Sequence, residues 1–293
     1  QDVMPIPSNF SKSPFEINHP NDRWKPNIDD RDENFHKNYA PLIESIRKKI
    51  FDWRQFGYDG ISDTSKDLLN YWFNTPHESG FRFYFGQRES VETVIFLFEK
   101  MKIRNSRDLI KLDSWGLSNN LFNDAWLRLV LKQATGTGKT KVLMLIIAWS
   151  YFHKEYENQS LLSKNFLLIA PNTIVLDRLR NDIEGLRIFL SDPIIPPQGY
   201  GGKNWKFYPT IHIQDEINTV SDLGNIFLTN IQRFSNRNVK EKNEDLSNFF
   251  LGAKPLSKTI DNKIKVKSIV NNLEDLLVLN DEAHHIHEDN AWK

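Results

Sequence analysis

The chain has 293 residues, of which 39% are hydrophobic and 26% are charged, and its 38 lysines and arginines balance 38 aspartates and glutamates. This is the composition of a globular protein, and its zero net charge neither points to a nucleic-acid partner nor excludes a local basic groove. The absence of cysteine excludes disulfides and cysteine-ligated metal sites.

The sequence gives no indication of a membrane segment or a secretion signal. No run approaches the roughly 20 apolar residues that span a bilayer, and the longest candidate, residues 142–152, is interrupted by Trp149 and Ser150. The first ten residues, QDVMPIPSNF, lack the basic and then apolar order of a signal peptide. We therefore expect a soluble, cytoplasmic protein with no membrane partner.

The N-terminal part predicts an extended lead followed by helices. Residues 1–38 are rich in Pro, Asn and Asp, which favours an extended surface segment. Apolar residues recur at helical spacing in PLIESIRKKIFDWRQFGY and in DTSKDLLNYWF, the second with Asp63 or Thr64 as its cap. A third helix, in FGQRESVETVIFLFEKM, is expected to begin just after Gly86. We assign residues 1–79 to this lead and its helical accessory region.

From Leu127 onward, short apolar runs alternate with helical patterns. Strands are predicted in LRLVL, NFLLIAP, NIFLTN and DLLVLNDEAHH, and helices in KVLMLIIAWSYF and TIVLDRLRNDI. Continuously apolar strands between helices predict an α/β fold with a mainly parallel sheet covered by helices on both faces. Residues 235–272 are polar and rich in lysine, and we interpret them as a surface insertion.

The stretch QATGTGKT, from Gln133 to Thr140, resembles a phosphate-binding loop without its first glycine. The general pattern G-x-x-x-x-G-K-[ST] requires glycine at position 133, where the chain has glutamine. A glycine loop before a helix offers backbone N–H groups and the positive end of the helix to an anion. Lys139 would reach the β- and γ-phosphates of ATP, and Thr140 would bind Mg²⁺. The alternative is a glycine-rich turn capped by threonine. The candidate ATP-binding residues of the loop are Thr135, Gly136, Thr137, Gly138, Lys139 and Thr140.

The fourth predicted strand ends in two adjacent acids, Asp281 and Glu282. In open α/β folds ligands bind at the carboxyl ends of the strands, and two neighbouring carboxylates are costly there unless a cation neutralises them. Asp281 fits as a Mg²⁺ ligand, and Glu282 as the base that orients the attacking water. A strand end in solvent is one alternative, and a metal site formed by His284, His285 and His287 is another.

Gln87, at the start of the third predicted helix, is a candidate for adenine recognition. A carboxamide donates and accepts at once, so it can bind the N6 and N7 edge of adenine, with Phe85 or Tyr84 stacking on the base. The alternative is a glutamine that caps the helix.

Five segments, in this order, resemble those of the restriction (Res) subunits of type III restriction enzymes and their DEAD/DEAH-box relatives in bacterial defence. They are YFGQRESVET, QATGTGKT, APNTIVLDRLRNDIE, IFLTNIQRF and VLNDEAHH. Superfamily 2 helicases, to which these proteins belong, relax the first glycine of the loop, so Gln133 fits this class.

The resemblance implies that residues 80–293 form the first RecA-like motor domain, with ATP and Mg²⁺ as cofactors. It gives catalytic roles to Lys139, Asp281 and Glu282, and it places His284 in the coupling between the ATP and DNA sites. It implies contacts to the nucleic-acid backbone in the loops after the second and third strands, made by Pro171, Asn172, Thr173, Thr229 and Asn230.

The implied function is that of an ATP hydrolase driving a helicase or translocase on double-stranded DNA. A second motor domain, and an endonuclease domain or a modification subunit, are expected outside these 293 residues, which alone would hydrolyse ATP very slowly. Two alternatives stay open, an RNA helicase and a nucleotide-gated interaction module within a defence complex.

Overall fold

The computed structural model describes residues 41–77, 80–112, 127–134, 136–213, 219–230 and 273–281. The chain divides into two compact units, one extending through Val142 and the other beginning at Leu143. The domain boundary predicted after residue 79 stays a prediction, and the polar insertion predicted for residues 235–272 lies outside the described residues.

The first unit contains the three helices that the periodicity predicts. They are α1 (Pro41–Gln55), α2 (Asp63–Phe73) and α3 (Phe85–Ile95). The chain continues from α3 as a π-helical turn, Phe96–Lys100, and a 3₁₀ helix follows at Ser106–Lys111.

The cap of α2 differs from the prediction. Ser62, rather than Asp63 or Thr64, is the N-cap, and its Oγ accepts from the Ser65 backbone N–H at 3.2 Å. Ser62 has the extended backbone that a cap requires, whereas Asp63 is already the first helical residue. Asp63 instead places a negative charge in the first turn, where the helix dipole favours it.

A buried charge cluster joins α1 to α3. Glu92 of α3 has no exposed surface, and its carboxylate accepts from Arg54 Nε at 2.9 Å, from Arg88 Nε at 2.7 Å and from the Tyr58 hydroxyl at 2.6 Å. Burial, and next the charge of Glu92, raise the pKa of Tyr58, so this hydroxyl stays a donor. Since a buried carboxylate tolerates few arrangements of its partners, the cluster fixes α3 against α1.

Residues 127–134 do not form the predicted strand. No strand is assigned in this part of the described chain, and exposed residues alternate with half-buried ones, with Val130 75% exposed. The LRLVL pattern has a polar residue between its leucines, and an extended segment with one covered face satisfies it without a neighbouring strand.

Helix α4 (Lys139–Tyr156) begins in the first unit and continues into the second, which also contains a four-stranded sheet. The other elements in the described residues of the second unit are β1 (Asn165–Ala170), α5 (Thr173–Ile183), a 3₁₀ turn at Glu184–Leu186, α6 (Arg187–Ser191), a 3₁₀ turn at Tyr200–Gly202, β2 (Thr210–Ile213), β3 (Asn225–Asn230) and β4 (Leu277–Asn280). The predicted helices at α4 and α5 and the predicted strands at β1, β3 and β4 are confirmed. The short strand β2 was not predicted.

All four strands are parallel, in the order β2-β3-β1-β4. Leu167 of β1 lies between Phe227 of β3 and Val278 of β4. Every residue of β3 is buried, and so is every residue of β1 after Asn165, so both faces of these central strands are covered. This confirms the α/β fold with a parallel sheet.

None of the helices in the described part of the chain has both the length and the hydrophobicity that crossing a membrane requires.

Candidate functional site

The glycine loop leads directly into α4, which begins at Lys139 and Thr140. Gly136 and Gly138 have φ values of +81° and +77°, in the left-handed region that favours glycine. The two glycines differ in their surroundings. A Cβ at Gly136 would meet no atom within 4 Å, whereas one at Gly138 would lie 2.3 Å from Gln87 Nε2. Open space beside Gly136, followed by a helix N-terminus, fits a phosphate group. Thr135 lies outside the described residues.

Gln87 is the third residue of α3, and its carboxamide is bonded on both sides. Its Oε1 accepts from the Tyr84 N–H at 2.9 Å, and its Nε2 donates to the Thr137 carbonyl at 2.9 Å. Because the Tyr84 N–H only donates and the Thr137 carbonyl only accepts, these bonds fix the orientation of the amide. Gln87 is 2% exposed, and the bond to Tyr84 is the one expected of a capping glutamine. Its contact with adenine stays a prediction.

Gln133 is the residue that departs from the general P-loop pattern, and it also contacts α3. Its Nε2 donates to Ser90 Oγ at 2.5 Å and to the Gly86 carbonyl at 3.3 Å. The Thr137 hydroxyl donates to the Ala134 carbonyl at 2.7 Å, and its Oγ1 lies 3.4 Å from Gln133 Oε1. The sequence pattern gave Gln133 and Ser90 no role, although an amide at a position that usually takes glycine was a visible signal.

In the second unit, polar residues collect where the parallel strands end. β1, β3 and β4 end at Ala170, Asn230 and Asn280, which lie at the same edge of the sheet. The Asp281 N–H donates to the Ile169 carbonyl at 3.1 Å and so continues the pairing of β4 with β1. This is the position that the sequence predicts for Asp281.

The Asp281 carboxylate is paired with an arginine. Arg178 Nη2, on α5, donates to Asp281 Oδ2 at 3.0 Å, with the aspartate side chain 3% exposed and the arginine side chain 55% exposed. A buried carboxylate at this edge therefore has a cation beside it, which is the condition a divalent metal would also satisfy. Nothing in the sequence pattern pointed to Arg178, because its partner is 103 residues away. Glu282 and His284 lie outside the described residues.

The residues predicted to contact nucleic acid fall into two groups. Asn172 and Thr173 are exposed, and Asn172 Oδ1 accepts from the Val175 N–H at 2.9 Å as the cap of α5. Pro171, before them, is half-buried. Thr229 and Asn230 are only 2% and 3% exposed. The nucleic-acid contacts of all five residues stay predictions.

The histidine cluster considered as a metal site falls outside the described residues. Within the described ranges, no group of three or more histidine, aspartate or glutamate side chains could hold a metal ion. A Mg²⁺ role for Thr140 and Asp281 therefore rests on their chemistry, a hydroxyl and a carboxylate, both oxygen ligands of the kind that Mg²⁺ prefers.

A model of the family described as type III restriction enzyme, res subunit, matches residues 84–293. The chain belongs to this family. The match includes Gln87, the glycine loop and the acidic strand end, and it begins at Tyr84, whose N–H binds Gln87. No curated protein and no solved structure matches the chain significantly.

Membership in the Res family makes this a superfamily 2 helicase domain with a RecA-like fold. The family is one of ATP-dependent, helicase-like motors, so it uses ATP. Helices α1 and α2 lie before the matched residues.

Proposed function

We propose that this chain is the ATP-binding part of an ATP-dependent translocase or helicase that acts on double-stranded DNA. The observation that carries the proposal is the glycine loop, with open space beside Gly136 at the start of α4. Backbone N–H groups at a helix N-terminus bind phosphate without needing a specific side chain. Lys139 and Thr140, the first two residues of α4, then add a cation and a hydroxyl at that end of the helix.

The predicted roles divide between phosphate, metal and water. Lys139, with Thr135 to Gly138 of the loop, binds the phosphates, and Thr140 and Asp281 bind Mg²⁺. ATP supplies the phosphoanhydride bond whose hydrolysis drives the motor. Glu282 orients and polarises the attacking water, and His284 couples the nucleotide site to the DNA site.

We also propose Gln87 as the adenine contact. Its Oε1 accepts from the Tyr84 N–H, and its Nε2 donates to the Thr137 carbonyl and, at 3.4 Å, to the Gly138 carbonyl, so only Oε1 keeps capacity for a further hydrogen bond. Adenine recognition by Gln87 therefore requires sharing these bonds or a change of rotamer. A preference for ATP over GTP that Gln87→Ala abolishes would support the role, and an unchanged preference would refute it.

Duplex DNA is the proposed substrate because the chain belongs to the Res family. Asn172 and Thr173 are the exposed candidates for phosphate contacts, and such contacts hold nucleic acid without reading its sequence. Competition between duplex DNA and structured RNA, measured across salt concentrations, separates the DNA motor from an RNA helicase. We further propose that the protein works in the cytoplasm in defence against foreign DNA, with a modification subunit or nuclease as partner.

The test is calorimetric titration of ATP and Mg²⁺ into the chain, with Lys139→Ala as the variant and Lys141→Ala as its matched control. Lys141 is also on the first turn of α4, but its Nζ lies 4.6 Å from the centre of the Phe81 ring, a contact that the proposal does not use. Loss of binding in Lys139→Ala alone supports the proposal. Equal loss in both variants, or a wild-type chain that does not bind ATP, overturns it.

A further inference from the structure

The side chain of Gln133 connects the beginning of the glycine loop to the first turns of α3. Its Nε2 lies 2.5 Å from Ser90 Oγ, and the Ser90 hydroxyl itself donates to the Gly86 carbonyl at 2.7 Å. With its own hydrogen committed to Gly86, Ser90 offers a lone pair to Gln133. The bond therefore needs a donor at position 133, which glutamine has and glutamate or glycine lacks.

A second glutamine connects the same two segments in the opposite direction. Gln87 of α3 donates through its Nε2 to the Thr137 carbonyl at 2.9 Å, near the end of the loop. The loop is thus hydrogen-bonded to α3 at two positions. At its first residue the side chain comes from the loop, and at Thr137 it comes from the helix. The Thr137 hydroxyl, which donates to the Ala134 carbonyl at 2.7 Å, adds a bond within the loop.

These hydrogen bonds are important because the loop contains glycines, whose ordering costs the most conformational entropy. Glycine loses more conformational freedom on ordering than any other residue, and both Gly136 and Gly138 have positive φ. If the loop is ordered only when ligand binds, that entropy is subtracted from the affinity, whereas a loop ordered beforehand binds without this cost. The hydrogen bond from Gln133 is made by its side chain, so it does not occupy the backbone N–H groups of the loop that a phosphate would need.

We propose that Gln133, together with Ser90, is a positioning residue that orders the glycine loop before nucleotide binds. The inference rests on the proposed function, since it takes the ligand to be a nucleoside di- or triphosphate. This role explains why the chain has glutamine at position 133, where the general P-loop pattern has glycine. In this chain the usual glycine at position 133 would weaken the site.

The experiment is a double-mutant cycle with Gln133→Ala and Ser90→Ala, measuring ADP and ATP·Mg affinity by calorimetry. Each single variant is expected to weaken binding about 3- to 10-fold, the worth of one hydrogen bond, and the double variant no more than Gln133→Ala alone, which also loses the 3.3 Å bond to the Gly86 carbonyl. Gln133→Gly and Gln133→Glu should weaken binding at least as much as Gln133→Ala. Ser90→Thr keeps the hydroxyl and should bind nucleotide as the wild type does. Gln55→Ala removes an exposed glutamine of the same unit and serves as control.

Hydrogen exchange of the ligand-free protein provides a second readout that does not depend on nucleotide. The amides of residues 136–138 should exchange faster in Gln133→Ala and in Ser90→Ala, with the thermal midpoint unchanged. Additive effects on affinity, or a Gln133→Gly variant that binds as tightly as wild type, would overturn the proposal. If the wild type binds no nucleotide, the proposed function fails, and unchanged exchange in the two variants would then separately refute the positioning role.

Discussion

The glycine-loop region of the first unit and the strand-end region of the second hold their polar side chains by different interactions. Around the glycine loop the bonds are neutral, between the amides of Gln87 and Gln133 and carbonyl or hydroxyl oxygens. At the strand ends the main bond is an ion pair, between Arg178 and the buried Asp281. The first arrangement depends on shape and donor placement, and the second on charge.

The difference suggests how each region responds to a ligand. Neutral side-chain bonds that do not involve the loop N–H groups can persist when a phosphate binds. An ion pair at a carboxylate that is to bind a metal competes with that metal, since both are cations seeking the same oxygen. We therefore expect the loop region to be fixed before ligand binding and the strand-end region to rearrange on binding.

We expect the largest effect from substitutions at the two loop glycines. Comparing Gly138→Ala with Gly136→Ala tests whether close packing in the loop region is required for ATP binding. Positive φ costs each alanine about 1–2 kcal/mol. Only the alanine at 138 also displaces the Gln87 carboxamide, because its Cβ would lie 2.3 Å from Nε2. We expect Gly138→Ala to weaken ATP binding about 10-fold or more beyond Gly136→Ala, a difference of roughly 1.4 kcal/mol or more. Calorimetry and thermal unfolding measure both.

The double variant Gly138→Ala with Gln87→Ala is the control for this explanation. Removing the carboxamide relieves the close approach, so Gln87→Ala should cost less in the Gly138→Ala background than in the wild type. Equal affinities for Gly136→Ala and Gly138→Ala would show that fit to Gln87 is unimportant.

The elements that could be predicted from sequence are those whose pattern reflects burial. Strands β1 and β3 are continuous apolar runs because both faces are covered, and α1 to α3 have apolar residues at helical spacing. LRLVL is also apolar, but hydrophobicity cannot tell whether a partner strand is present. Strand β2, TIHI, lacked a signal because its His212 is polar, although it is buried, stacks on Phe227 and bonds to Asn225.

For the candidate site, residue types at fixed local spacing were predictable and their partners were not. Gly136, Gly138 and Lys139 form one contiguous loop and helix start, so the pattern contains them. Gln133 and Ser90, 43 residues apart, meet only because α3 is fixed beside the loop, and Arg178 meets Asp281 only because β1 and β4 are neighbours. Such pairings depend on tertiary structure.

The intermediate effect tests the charged region through Arg178→Ala. Loss of the arginine leaves the Asp281 carboxylate without this partner, so we expect a destabilisation of about 1 kcal/mol, limited because Arg178 is half exposed. The same change should tighten Mg²⁺ or Mn²⁺ binding several-fold, since the metal no longer competes with a guanidinium. Metal titration by calorimetry and thermal unfolding measure the two effects.

Arg187→Ala, which removes an exposed arginine from α6 of the same unit, controls for the loss of one positive charge. Asp281→Asn should abolish the metal effect of Arg178→Ala. Weaker metal binding in Arg178→Ala would contradict competition and indicate that the arginine supports the site instead.

The smallest effect compares one carboxylate in each unit through pH. Burial raises the pKa of Glu89 above its ordinary 4.5, although Arg47 opposes the shift. Burial also disfavours ionisation of Asp275, but hydrogen bonds from Ser163 and Lys154 outweigh it and lower its pKa below 3.8. A carboxylate whose pKa is raised by folding stabilises the protein at pH values below its pKa in the unfolded chain. This stabilisation is lost as the pH rises through its pKa in the folded protein. A carboxylate whose pKa is lowered by folding stabilises the protein at pH values above its pKa in the unfolded chain. This stabilisation is lost as the pH falls through its pKa in the folded protein.

The two carboxylates should therefore respond oppositely when thermal midpoints are measured between about pH 3 and about pH 6. As the pH rises, Glu89→Gln should gain stability relative to wild type, because it no longer buries a carboxylate that ionises unfavourably. Asp275→Asn should lose stability relative to wild type, because it lacks the ionised partner of Lys154, 3.0 Å away. Asp222→Asn, which removes an exposed carboxylate of the second unit, is the control for the loss of one negative charge. Parallel trends in the first two variants would mean that the units do not differ in how they hold charge, and that the contrast between them is confined to the neighbourhoods of Gln133 and Asp281.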